Sequence, residues 1–196
     1  MTKNIIFDFG NVLVQWHPEV VYGEFFGDEA KAWWFLRHVA DMDFRQRIDA
    51  GESFDGCIRE KQAQYAEYER AIELYRSKWR EMLTDEVPGM MEVISELRAK
   101  DYKIFGLTNW SMETFPEARV HFGILQMIDR YVVSGAEGYV KPDPRLFQVL
   151  LDRYGLRAEE CIFIDDNPDN VAAARNMGMR GIVFTNAESL RKELAI

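Results

Sequence analysis

Residues 4–8, Asn-Ile-Ile-Phe-Asp, form a short apolar run that ends on a carboxylate, Asp8, and meets a turn at Gly10-Asn11. The run is too short for its period to separate helix from strand. Its β-branched and aromatic content, with Gly10 closing it, predicts a buried parallel strand. Ligands gather at the carboxyl ends of such strands, so Asp8 is placed as a reactive carboxylate, or else as a plain turn-former. The arrangement recurs three more times, with apolar runs at 103–108, 130–134 and 161–165, each leading into a polar turn.

A fifth run at 180–184 completes the predicted strands, and helical patterns separate the last four. Met90, Val93, Ile94 and Leu97 share one face of the segment 90–100, and Leu146, Val149, Leu150 and Tyr154 do so in 144–154. Asp143-Pro144 supplies an N-cap and a proline at the first helical position, with Gly155 as the stop. Asn167-Pro168 repeats the device before Gly178. This alternation predicts an α/β fold with a doubly wound, Rossmann-like parallel sheet.

The stretch 16–84 departs from the pattern: it holds no convincing strand and has aromatic residues at helical spacing, as in Tyr68, Ile72, Tyr75 and Trp79. It reads as an inserted all-α cap subdomain, with 1–15 and 85–196 forming the core domain and Pro88-Gly89 marking the return. Trp33-Trp34-Phe35 is expected to supply the insertion's own core.

Bulk properties narrow the function classes. The formal charge of -9 argues against general affinity for nucleic acid or anionic membranes. It leaves room for a phosphorylated small molecule held by a local cation. No apolar stretch approaches the ~18 residues that span a bilayer, and the N-terminus lacks a secretory pattern. Cys57 and Cys161 suggest neither a disulfide framework nor zinc. The expectation is a cytoplasmic protein of open oligomeric state.

In a parallel sheet the residues after each strand converge on one edge. Here these are Asp8, Thr108-Asn109, Lys141 and the pair Asp165-Asp166. A nucleophilic carboxylate, a hydroxyl, a cation and paired acids are the parts of a phosphoryl-transfer site. Each also has a local reading: Thr108 as a helix cap, Lys141 as a solvated loop residue, the acid pair as turn formers. Two adjacent carboxylates at the end of an apolar strand call for a positive partner, and Mg²⁺ is the obvious one.

These runs resemble the motifs of the haloacid dehalogenase (HAD) superfamily, in the group with a helical cap inserted after the first strand. Phe7-Asp8-Phe9-Gly10-Asn11-Val12-Leu13-Val14 resembles the first motif and Leu107-Thr108-Asn109-Trp110-Ser111 the second. Val140-Lys141-Pro142-Asp143-Pro144 resembles the third and Ile164-Asp165-Asp166-Asn167 the fourth. The resemblance implies a Mg²⁺-dependent phosphatase of a small phosphorylated metabolite, with Asp8 as the nucleophile that forms an aspartyl-phosphate. It implies that Asp166, Asp8 and the carbonyl of Gly10 bind the metal, with Asp165 supporting them. Thr108, Asn109 and Lys141 would hold the phosphate, and Asn170 would orient its neighbours.

Members usually carry a second Asp two residues after the nucleophile as general acid and base; this chain has Gly10 there. A missing proton donor typically costs about 10²–10⁴ in rate. Without a donor the chain is expected to prefer leaving groups that need little protonation, as in acyl or anomeric sugar phosphates. The alternative is a substitute donor, His17, nine positions beyond Asp8 in the hinge, unless His17 beside Pro18 only helps start the first helix of the insertion. Two other readings stand beside the phosphatase. One is a 2-haloacid dehalogenase, disfavoured by the acid pair Asp165-Asp166. The other is a scaffold that binds phosphate and metal without catalysis, disfavoured by the retained Asp8. The insertion is expected to select substrate, and Arg45 and Arg47 are its candidates for facing the crevice.

Overall fold

The computed structural model describes residues 4–196. Five strands form one parallel sheet: β1 (Asn4–Phe7), β4 (Lys103–Thr108), β5 (Tyr131–Val133), β6 (Cys161–Asp165) and β7 (Arg180–Val183), ordered β5-β4-β1-β6-β7. Every residue of β1 is buried, as expected of a central strand covered on both faces. The chain runs outward from β1 to β4 and β5, then crosses back to β6 and β7. The sheet therefore reverses its winding beside β1, where α/β sheets open a crevice at their carboxyl ends.

Helices cover both faces. One face carries α6 (Met90–Ala99), α7 (Phe115–His121), α8 (Gly123–Gln126) and α12 (Ala187–Leu194), with Ile5, Ile104, Ile162 and Ile182 beneath them. The other carries α10 (Pro144–Tyr154) and α11 (Pro168–Asn176) over Ile6, Phe105, Leu107 and Phe163. The caps lie where the residues ask for them. The side chain of Asp143 accepts from the Arg145 N–H, that of Asn167 accepts from the Asp169 N–H, and Gly155 closes α10 at φ 61°. The short α9 (Ser134–Glu137) follows β5 directly.

Between β1 and α6 the chain builds α1 (Pro18–Phe26), α2 (Glu29–His38), α3 (Met42–Asp49), α4 (Phe54–Gln64) and α5 (Glu69–Ser77). Two strands frame this insertion, β2 (Val14–Trp16) and β3 (Leu83–Glu86), paired antiparallel. The expectation of no strand across 16–84 is therefore corrected at both ends. Each strand is a short, mixed sequence that becomes extended only because the other supplies its hydrogen bonds.

The Trp33-Trp34-Phe35 expectation is also corrected. Phe35 is fully buried against Tyr22, whereas Trp33 and Trp34 are 38% and 43% exposed. Three consecutive helical residues point about 100° apart and cannot share one face. The apolar side chains of the insertion and of the α6/α12 face form one continuous cluster, through Trp79, Trp110 and Phe115. No helix of the described residues is long and apolar enough to cross a membrane.

Candidate active site

The carboxyl ends of β1, β4 and β6 bring Asp8, Thr108 and Asp165 side by side. Asp8 follows the last residue of β1, and its N–H donates to the carbonyl of Ile164 on β6 at 2.9 Å. Lys141, in the loop between α9 and α10, reaches into this edge and is itself buried. Its Nζ lies 2.8 Å from Asp8 Oδ1 and 2.7 Å from Asp165 Oδ2, and it donates to the carbonyl of Leu107 at 2.9 Å. Asn109 holds the lysine's backbone: its Oδ1 accepts from the Lys141 N–H at 2.7 Å, and its Nδ2 donates to the Lys141 carbonyl at 3.0 Å. Lys141 is thus no solvated loop residue.

Asp165 is fully buried and fully occupied. Besides Lys141 it accepts from Asn170 Nδ2 at 3.1 and 3.0 Å and from the Asn167 N–H at 2.8 Å. Asp166 is more open, and its Oδ2 accepts from Asn11 Nδ2 at 3.2 Å. Asn11 takes a positive φ of 54° at the turn after Gly10, and its Oδ1 accepts from the Trp16 N–H. The turn after β1 is thereby tied both to Asp166 and to the start of the insertion.

Charge in this pocket is unbalanced. Asp8, Asp165 and Asp166 each offer a carboxylate oxygen, all within 4.8 Å of one another, against the single ammonium of Lys141. Burial pushes the Asp8 carboxyl up to about 7; Lys141 pulls it back, while Asp165 and Asp166 add to the rise. Burial and then Asp165 raise Asp166 as well. Burial alone would lower Lys141, but Asp165 and Asp8 hold its ammonium above the ordinary range. A hard divalent cation with oxygen ligands fits this donor set and would relieve the repulsion. Among the described residues the buried Thr108 Oγ1 has no hydrogen-bond partner, leaving a hydroxyl free to meet an anion beside that cation.

A cavity of about 80 Å³ opens next to these groups. Gly10, Asn109 and Trp110 form its wall on the sheet side. Arg45 and Asp49 of α3, Tyr75 of α5, and the aromatic rings of Trp16 and Trp79 form the other. Arg45 therefore does face the crevice. Arg47 turns away to Glu52 and Glu60, each at 2.7 Å. His17 is not part of the wall: its Nδ1 lies 2.8 Å from Glu19 Oε1 where α1 begins. Asp49 and Trp110 also belong to the wall, and neither is among the site residues expected from the sequence. The only signal for Asp49 was its place in the Asp49-Ala50-Gly51 turn at the end of a helix.

A family profile described as haloacid dehalogenase-like hydrolase matches residues 2–178. The chain belongs to that family. It is 38% identical over 119 residues to acyl-CoA dehydrogenase family member 10 of Mus musculus, a match covering 58% of this chain and 11% of that protein. It is 33% identical over 114 residues to flavin mononucleotide hydrolase 1 of Arabidopsis thaliana, covering 55% of this chain and 43% of that one. The chain thus spans less than half the length of these curated relatives. Among solved structures, a HAD family enzyme from Bacteroides thetaiotaomicron in complex with magnesium and inorganic phosphate superposes with a TM-score of 0.72 at 17% identity, over 95% of both chains.

Proposed function

We propose that this HAD hydrolase is a Mg²⁺-dependent phosphatase of a small phosphorylated metabolite, working through an aspartyl-phosphate on Asp8. The observation that carries the reading is the Asp8–Lys141–Asp165 chain, in which an ammonium holds the carboxylate that follows β1, with the unpartnered Thr108 hydroxyl at the end of the neighbouring strand β4. The flavin mononucleotide hydrolase among the relatives and the phosphate complex among the structural neighbours support it.

An Asp8 oxygen attacks phosphorus in line with the leaving oxygen; the new P–O bond forms as the ester bond breaks. Lys141 and Thr108 donate to the non-bridging oxygens as charge builds on them, and the second backbone tie through Asn109 keeps Lys141 from following the phosphate away. Asp8, Asp166 and the Gly10 carbonyl would hold Mg²⁺, which when bound neutralises phosphate charge and keeps Asp8 ionised. Asp165, locked by Asn170 and the Asn167 N–H, fixes Lys141 rather than contacting substrate. Water then attacks the aspartyl-phosphate and returns free Asp8 and inorganic phosphate. Dehalogenases also stand among the structural neighbours, but the acid pair Asp165-Asp166 disfavours that reading, because without a metal it would repel an anionic haloacid.

Phosphate release from a panel of phosphomonoesters, with Mg²⁺ and then with EDTA, tests the proposal. Turnover that needs Mg²⁺ and disappears in Asp8→Asn is expected. Undiminished activity in EDTA, or halide release from 2-chloropropionate exceeding phosphate release, would sink it.

A further inference from the structure

Gly10 leaves a phosphatase of this design without a proton donor in the turn after the nucleophile, and a substitute donor would have to stand elsewhere in the crevice wall. Three of the titratable groups nearby are unsuited. His17 is engaged with Glu19 and does not line the cavity. Both oxygens of Asp165 are already acceptors for Lys141 and Asn170. Tyr75 lines the cavity, but burial, and then the nearby Asp49, hold its hydroxyl well above the ordinary tyrosine range.

Asp49 remains. It is the last residue of α3, and it shares the cavity wall with Gly10, the residue whose missing side chain must be replaced. Its position is fixed from both sides. The hydroxyl of Ser134 donates to the Asp49 carbonyl at 2.5 Å and accepts from the Trp110 N–H at 2.8 Å, bolting the end of α3 to the loop after β4. Two residues on, Gly51 passes so close to Gly135 that a Cβ there would sit 2.5 Å from the Gly135 carbonyl oxygen. Such contact between the insertion and the sheet edge holds a side chain to the precision that proton transfer requires.

We propose that Asp49, reaching across from the helical insertion, is the general acid and base of this enzyme in place of the side chain absent at Gly10. The proposal rests on the phosphatase reading above. As the Asp8–phosphorus bond forms and the ester P–O bond breaks, the neutral Asp49 carboxyl gives its proton to the leaving oxygen, which departs as an alcohol. The resulting carboxylate then takes a proton from the water that attacks the aspartyl-phosphate. Phosphate leaves, Asp8 is freed, and Asp49 is neutral again. The charged and polar groups facing Asp49 are Arg45 on its own helix, Tyr75 on α5 and Lys141 from the sheet edge. Burial outweighs the pull of Arg45 and Lys141 and pushes its carboxyl up to about 7, so both forms are available near neutrality.

The test is kcat/KM against leaving-group pKa for a series of aryl and alkyl phosphates, comparing wild type with Asp49→Asn. The wild type should show a shallow slope. The variant should show a steep one, losing about 10²–10⁴-fold on alkyl phosphates and little on 4-nitrophenyl phosphate. Asn keeps the backbone carbonyl that Ser134 binds, and beryllofluoride with Mg²⁺ should still trap on Asp8 in the variant, a readout independent of turnover. A variant with the wild-type slope, or one that loses activity equally across the series, would overturn the role of Asp49. A wild type inert toward the whole series, with no beryllofluoride trapped, would overturn the phosphatase reading and this inference with it.

Discussion

At the scale of single residues, the site is a contest between burial and charge pairing. Lys141 is the pivot, because among the described residues it is the cation paired with both Asp8 and the fully buried Asp165. Replacing it with Ala leaves two buried carboxylates without their counter-ion, a change that typically costs about 3–5 kcal/mol. Lys141→Ala should therefore lower the denaturation midpoint as well as turnover, and added Mg²⁺ should restore part of the midpoint but not the turnover. Wild-type stability and kinetics in that variant would show the lysine to be dispensable. Gly10 allows the opposite experiment. A Cβ placed there meets no atom within 4 Å, so the cavity can accept a side chain. Gly10→Asp introduced into Asp49→Asn should flatten the leaving-group slope again, by supplying a carboxyl from the other wall.

At the scale of elements, the junction between α3 and the sheet edge is the joint on which the crevice depends. Ser134 satisfies the buried Trp110 N–H and the Asp49 carbonyl together. Ser134→Ala orphans that N–H at a typical cost of about 1–3 kcal/mol, measurable by chemical denaturation. Gly51→Ala is more severe for the site: its φ of 97° and its contact with Gly135 leave no room for a methyl group without lifting the end of α3. That variant should lose activity on alkyl phosphates far more than it loses stability. The β2/β3 pair, by contrast, anchors the insertion at its base, where the His17 N–H donates to the Met82 carbonyl and the Val87 N–H to the Leu13 carbonyl.

At the scale of the whole molecule, the raised carboxyls make stability depend on pH in a definite sense. Asp49 has an ordinary value of 3.8 and a folded value of about 7, so the folded chain binds its proton more tightly than the unfolded chain. Its contribution is full below about 4 and is lost as pH rises toward 7. Asp49→Asn has no such proton, so its stability relative to wild type should improve steadily from pH 4 to pH 7. Urea midpoints of both proteins across that range would check this, and a constant difference would contradict it.

How much was legible in the sequence differs by scale. The parallel strands were readable because their middles, buried on both faces, must be apolar, and the punctuation Asp143-Pro144 and Asn167-Pro168 acts within a few bonds. The grouping of Asp8, Thr108 and Asp165 followed from the topology of a doubly wound sheet, whose strand ends must share an edge, whereas Lys141 reaches that edge from the loop beyond α9. Arg45 and Arg47 could not be told apart, since two positions on an exposed helix differ only in what each happens to meet. Nor could β2 and β3 be seen, because each is extended only by virtue of its partner about seventy residues away in a chain whose local preference is neutral. The sequence by itself determined which residues follow the parallel strands, since apolar runs and the polar turns that end them are local facts. Only the tertiary structure decided that Asp49 faces Gly10 across a cavity, because that depends on where a packed helix ends, and packing is a property of the whole core.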